Sequence, residues 1–375
     1  MNTHLRKLAV IILILVFART VKADEHPAAA GGQPGRTAPP IEIGAILPLT
    51  GDGSFWGTNP RNGIELALKD LTESSANPFR IIFEDDRCDP KTAVAAYKKL
   101  VEVNKVKIIL GPACSSATLA VAPLAQKDGV ILLSFSEADS ISDAGDNIFR
   151  LWVPNGRQGR KLAQHLIGSA KVKRVAVISI QNAFGADIVA AFKKEFEQLG
   201  GTIVVQEDYD PGSRDFRTQL LRIKAAKPEA LFFASYIADG AIILRQAKES
   251  NAAPRYFSGS TINSPDFFKQ LGPAADGLVF ADVKDETTEQ FRRRYSAEFS
   301  QTWPGMQSGA PLFYDIVRIL ALIEYSNDAA DARQALVSLR DYRGVSGPVS
   351  FDSSGDLERS HLMFTVKNGE AASLD

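Results

Sequence analysis

The stretch "VKIILGPACSSATLAVAPLAQKDGVILLSF" (106–135) decides how the chain is read. Residues 106–110 are a mostly apolar run without helical period, which predicts a strand. Gly111-Pro112 breaks the run, 115–125 is an alanine-rich helical segment, and 130–135 is a second apolar run. Strands that read as unbroken Val/Ile/Leu/Phe runs are those buried on both faces, as in a parallel sheet covered by helices. Cys114, Ser115 and Ser116 sit where the first strand would give way to the helix. They are open to three readings: nucleophiles, metal ligands, or the start of a helix that holds something negatively charged.

The same alternation runs outward in both directions. Upstream, "IEIGAILPL" (41–49) and "FRIIFED" (79–85) read as strands, and "PKTAVAAYKKLVE" (90–102) as a helix. "PRNGIELALKDL" (60–71) puts Ile64, Ala67, Leu68 and Leu71 on one helical face, with Pro60 suited to the first turn. Downstream, "NIFRLWV" (147–153) looks extended and "VPNGRQG" (153–159) reads as a loop at a composition break. The pattern restarts at "RVAVISI" (174–180) and continues to "GLVFAD" (277–282). Residues 286–338 are mostly helical, and 347–369 reads as a pair of strands around a Ser-Ser-Gly turn. The expected architecture is α/β, with two doubly wound parallel-sheet lobes. Residues 41–153 with 284–343 would form one lobe, and 154–283 with 344–375 the other, so that the chain crosses between them three times.

The N-terminus places the chain outside the cytoplasm. Arg6 and Lys7 precede an eleven-residue apolar run, 8–18, and Val21-Lys22-Ala23 offers a small-residue cleavage site, the pattern of a secretory signal over 1–23. That run is well short of the ~20 residues needed to span a bilayer. No cysteine precedes Cys88, so a lipid-modified N-terminal cysteine is not expected. Residues 24–40 are rich in Ala, Gly and Pro and read as a disordered tether. Loss of 1–23 removes four positive charges and no negative one, taking the formal charge from −1 to −5. A mildly acidic exported protein has no broad attraction for nucleic acid. In an oxidising compartment the only two cysteines, Cys88 and Cys114, are most simply a disulfide, against two free thiols. Such a bridge stabilises by roughly 3 kcal/mol in the chain-entropy model. With His165 and His361 the only histidines of the body, no metal-ligand spacing is recognisable, and no cofactor is expected.

Several motifs are read down. "GDGSFWG" (51–57) carries Trp56 where a dinucleotide fingerprint needs glycine, and no phosphate-binding G-x-x-x-x-G-K-S/T loop is present. "FEDDRCD" (83–89) alternates its carboxylates across a strand and reads as a strand end, a helix cap at Asp89-Pro90 and one cysteine. "FRRRYSAEF" (291–299) reads as a solvated helix face.

Five pieces in register give the chain a resemblance. "GAILPLTGDGSFWGTNPRNGIELALKDL" (44–71), "FEDDRCDPKTAVAAYKKLV" (83–101), "ILGPACSSATLAVAPLAQ" (109–126), "NAFGADIVAAFKKEFEQLGG" (182–201) and "GDLERSHLMFTVKNG" (355–369) resemble the type I periplasmic solute-binding proteins of ABC transporters. The nearer likeness is to the branched-chain amino-acid binding family. That resemblance implies two lobes joined by three hinge segments, a solute held between them, and a Cys88–Cys114 pair. It implies a monomeric, non-catalytic receptor in the periplasm whose partners are a membrane permease and ATPase. The family's solute contacts align with Trp56, Ala113, Cys114, Ser115, Ser136, Glu137, Ala138, Phe184, Tyr236 and Thr261.

The residues themselves carry part of that reading. The first amides of the helix after Pro112 lack internal partners and lie at the positive end of its macrodipole. Ser115 or Ser116 can cap it and bind nothing, or hydroxyl and amides together can receive a carboxylate. Trp56 in a Gly-rich loop is hard to bury within its own lobe, so with Phe184 and Tyr236 it reads as an apolar wall. The resemblance implies a threonine at Ala138 and a carboxylate at Thr261 to hold the solute's ammonium; both are missing here. Either Glu137 supplies the negative charge, or the solute is a carboxylate or aromatic acid without an ammonium, or Glu137 points to solvent. A role as a ligand-sensing receptor domain is the alternative to transport.

Overall fold

The computed structural model describes residues 39–74, 77–323, 325, 328–340 and 342–375. The signal expected at 1–23, and the tether at 24–40 except for its last two residues, lie outside the described residues. The chain begins with β1 (Ile41–Leu47), α1 (Phe55–Glu73), β2 (Phe79–Asp85), α2 (Pro90–Lys98), β3 (Ile108–Leu110), α3 (Ser115–Asp128), β4 (Ile131–Ser134) and β5 (Ile148–Arg150). These five strands form one parallel sheet in the order β2-β1-β3-β4-β5. Asp89 caps α2 by accepting from the Thr92 amide at 2.8 Å, with Pro90 in the first turn.

The second sheet is fed by α4 (Asn155–Gly168), β6 (Arg174–Ile180), α5 (Ala183–Gln198), β7 (Thr202–Tyr209), α6 (Arg217–Ala225), β8 (Ala230–Ala234), α7 (Ile237–Ser250), β9 (Tyr256–Ser258), α8 (Pro265–Leu271) and β10 (Val279–Val283). Then come α9 (Glu289–Phe299), α10 (Ala310–Leu322), α11 (Ala329–Ser338), β11 (Tyr342–Gly344), β12 (Gly347–Val349), β13 (His361–Lys367) and β14 (Glu370–Ser373). The second sheet runs β14-β13-β10-β9-β8-β6-β7, parallel except that β13 and β14 are antiparallel additions at one edge.

The later helices return to the first lobe. Phe291 and Tyr295 of α9 bury themselves with Leu66 of α1 and Ala310 of α10, and α10 fills the core beneath β1 and β3 with Phe313, Ile316 and Leu320. The chain thus passes between lobes near 154, at 284–288 and at 358–360. The last passage comes later than the 343/344 boundary expected from the sequence, because Val349, Phe351 and Leu357 pack in the first core and only β13 joins the second sheet.

Three local expectations are corrected. The α1 helix starts at Phe55, so Pro60 lies inside it rather than in its first turn; Asn59 Nδ2 donates to the Phe55 carbonyl at 2.8 Å in that proline-weakened turn. Most of "VPNGRQG" is the start of α4. Its glycines serve packing rather than a loop, since a Cβ at Gly159 would lie 2.9 Å from the Ile188 carbonyl of α5. Around the Ser-Ser-Gly turn only an isolated bridge, Phe351 with Leu357, forms; β13 instead makes a hairpin with β14. The three-residue β9 is a strand beyond those read from the sequence.

Candidate functional site

The carboxyl ends of the parallel strands in both lobes point at one another, the place where open α/β sheets gather ligands. From the first lobe come the β3–α3 junction and the loop after β4. From the second come the starts of α5 and α7 and the turn after β9. Between them lies a cavity of about 30 Å³ lined by Trp56, Ala113, Cys114, Ser115, Phe135, Glu137, Trp152, Phe184, Tyr236, Thr261 and Gln307.

Cys114 occupies the N-cap position of α3 and is bridged to Cys88, with 5.3 Å between the Cα atoms. A bridged sulfur has no thiolate to attack with, which removes the nucleophile reading. No side chain caps α3. Ser115 Oγ instead accepts from the amides of Ala138 at 3.2 Å and Glu137 at 3.4 Å, and Ser116 Oγ accepts from the Ala183 amide of the other lobe at 3.4 Å. The capping reading of the two serines is therefore replaced: their oxygens fasten the neighbouring loop and the facing lobe. The Ser115 hydroxyl keeps its own proton to donate, beside a positive helix end.

Ser136 and Ala138 do not line the cavity. The Ser136 hydroxyl is engaged by Thr118 and the Pro112 carbonyl, and Ala138 is fully buried in the cluster beneath α3. Thr261 does line it, with its hydroxyl donated to the Ser235 carbonyl at 2.7 Å. Glu137 is only 7% exposed, which overturns the solvent-facing reading. Its Oε1 accepts from Ser260 Oγ of the second lobe at 2.9 Å, and its Oε2 has no partner. Burial pushes the carboxyl up to about 7, against the lowering influence of Ser260, of the Trp152 indole, which is near but not in hydrogen-bonding geometry, and of Arg150.

Arg150, at the end of β5, holds this loop from beneath. It is fully buried, pairs with Asp356 at 2.9 Å, and donates to Ser142 Oγ at 2.7 Å and to the Glu137 carbonyl at 3.1 Å. Asp139 continues the seam: its carboxylate accepts from the Gly156 amide at the start of α4 (2.7 Å), and its own amide donates to Asp187 of α5 (2.8 Å).

The aromatic wall spans both lobes. Trp56 lies 5.0 Å from Tyr236 between ring centroids, and Tyr236 stacks on Phe184 at 5.5 Å with 23° between planes. Trp56 is buried among the core side chains of its own lobe and meets Tyr236 of the facing one, so the expectation that its own lobe would not bury it is corrected. Sequence reasoning missed Phe135, Trp152, Gln307, Arg150 and Ser260. Phe135 and Trp152 sit at the ends of runs that read as ordinary strands. Gln307 arrives from just before α10, some 170 residues after Glu137 in the chain, and nothing local marks it. Among the described residues no group of acidic, histidine or cysteine side chains is placed to hold a metal.

Residues 40–371 match the family model described as periplasmic binding protein. The chain belongs to that family. The resemblance drawn from the sequence therefore holds, and the family's name is one of binding rather than of catalysis. Among its relatives is the Leu/Ile/Val-binding protein BraC3 of Rhizobium johnstonii, 26% identical over 84% of this chain and 89% of that one. Another is the leucine-, isoleucine-, valine-, threonine- and alanine-binding protein of Pseudomonas aeruginosa, 26% identical over 87% of this chain and 89% of that one. The two-lobed fold is shared with the leucine-binding protein LivK of Thermotoga maritima (TM-score 0.80, 24% identity, 89% and 98% of the two chains). It is shared equally with a solute-binding protein of R. palustris solved with benzoate (TM-score 0.80, 20% identity, 90% and 96%).

Proposed function

We propose that this chain is the periplasmic receptor of an ATP-driven importer, capturing a branched-chain-type amino acid or a related small carboxylate between its lobes. A membrane permease and its ATPase would be the partners. The observation that carries the reading is the cavity between facing strand ends, walled by aromatic rings from both lobes and opening on the uncapped start of α3. Donors at a positive helix end suit a carboxylate, and the rings suit an apolar body.

A cavity of about 30 Å³ admits one or two waters, so a solute enters only when the lobes part. The bonds that part are Glu137 with Ser260, Asp139 with Asp187, and Asp52 with Arg214, along with the Trp56–Tyr236 contact. Capture is then a shift between open and closed populations, sized by the solute's preference for the closed one. The test is a thermal-shift screen of the L-amino acids, their deaminated acids and benzoates. A solute at 100 times its Kd should stabilise the protein by about 2.7 kcal/mol. If no compound of the screen shifts the melt, the receptor reading fails.

A further inference from the structure

Among the described residues, three buried polar atoms on cavity-lining side chains lack a hydrogen-bond partner: Glu137 Oε2, Gln307 Oε1 and Trp152 Nε1. Two of the three are acceptors, on side chains only 7% and 4% exposed. Both side chains line the same space of about 30 Å³. We propose that Glu137 Oε2 and Gln307 Oε1 form an ammonium-binding end of the cavity, so that the captured solute carries a primary amine. The proposal rests on the receptor reading and narrows it.

The chemistry is one of matching. An ammonium brings three donors and no acceptor, and it brings the charge that a buried carboxylate needs. A solute without an amine would leave both acceptors unpaired in a dry site, and a second carboxylate near Glu137 would add like charge. The positions where the resemblance implies the amine ligands supply no charge. Ala138 has no polar side chain, and Thr261, whose proton goes to the Ser235 carbonyl, offers a neutral acceptor oxygen only. The acceptors have moved to one residue from the loop after β4 and one from the segment before α10.

Among the described residues, the groups around Glu137 leave it no free cation. Arg150 of β5 is paired with Asp356; Asp282 of β10 is a fully buried carboxyl held by Asn263; Tyr236, before α7, is a neutral phenol accepting from Asn182. Because burial raises Glu137 to about 7, the empty site holds a proton for part of the time near neutrality. An ammonium binds the ionised form, so capture expels that proton. Affinity for an amine-bearing solute should then fall about tenfold per pH unit below 7, whereas an amine-free acid should bind better as pH falls.

The experiment is calorimetric titration of the full chain at pH 5.5, 7 and 8.5 with L-leucine and with 4-methylpentanoate, the same skeleton without its amine. Other L-amino acids paired with their deaminated acids, and benzoate, complete the panel. The expected result is that amine-bearing members bind and their partners bind at least about 100-fold more weakly, with affinity falling toward pH 5.5. Glu137→Gln should lose about 100-fold and flatten the pH dependence, and Gln307→Leu about tenfold. Both variants are checked for folding by their melts, and the wild-type pH series needs neither. Binding of 4-methylpentanoate or benzoate as tightly as any amine, tighter binding at pH 5.5, or an unchanged slope in Glu137→Gln overturns the amine subsite while leaving the receptor. If nothing in the panel binds at any pH, the receptor reading itself falls.

Discussion

Two hollows meet at Gln307. One, of about 1000 Å³, lies among α8, the 282–307 segment and the β13–β14 hairpin; the other is the cavity of about 30 Å³ between the lobes. In the larger, the polar groups mostly answer one another. Asp282 accepts from Asn263 at 2.7 Å, the Trp303 indole donates to Asp285 at 3.2 Å, and Arg292 pairs with Asp285 at 3.2 Å. There, among the buried polar atoms of the described residues, Arg292 Nε alone is unanswered; in the smaller a carboxylate oxygen and an indole N–H are, and the orphan amide oxygen of Gln307 stands on the border of both. Volume reports how much room the lobes leave in this closed arrangement. Unmet hydrogen-bonding capacity reports where a missing partner belongs, because a buried orphan costs about 1–3 kcal/mol and persists only where something repays it.

The sharpest way to break this contrast is a pair of tryptophan variants. Trp56→Ala should lower solute affinity about 100-fold, since it removes the wall that meets Tyr236, whereas Trp303→Ala in the larger hollow should leave affinity unchanged. Equal losses in titration calorimetry would show that the larger hollow takes part in binding. A smaller effect is expected from Ser115→Ala. It should weaken binding by about 1–3 kcal/mol and also lower the melting temperature of the empty protein, because the Ala138 and Glu137 amides lose their acceptor. Unchanged affinity would leave Ser115 with only its loop-fastening role.

The smallest effect is on stability and isolates Glu137. A carboxyl raised from 4.5 to about 7 keeps its proton in the folded chain where the unfolded chain has lost it. Its contribution is therefore full below about 4.5 and is lost as pH rises to about 7. Buried His361, lowered by desolvation to about 3, acts in the opposite direction below 6.5, so absolute melting temperatures mix the two. The difference between Glu137→Gln and wild type does not. It should move in the variant's favour between pH 4.5 and 7 and then level off, as read by calorimetric melts of the empty protein.

Much of the fold was legible because its signals are local. The run 106–110, the Gly-Pro break and the alanine-rich helix needed no distant partner to be read, and the Asp89-Pro90 cap is complete within four residues. The site was legible only in part. Trp56 could be singled out, but for the wrong reason: its loop is the first turn of a helix, and its own lobe's core buries it as well as Tyr236 of the facing lobe. Glycine-rich 153–159 hid the start of α4, because close packing on α5 and a flexible loop ask for the same residue.

By itself the sequence determined two α/β lobes, because periodicity, caps and strand–helix junctions are written in neighbouring residues, and its resemblance to a known family supplied the family and most of the residues that wall the cavity. Only the tertiary structure decided which polar atoms are left without partners. Glu137 meets Ser260, and shares a cavity with Gln307, only after the chain has passed between lobes three times. Whether a buried oxygen is satisfied depends on every group that surrounds it, and that is a property of the folded whole.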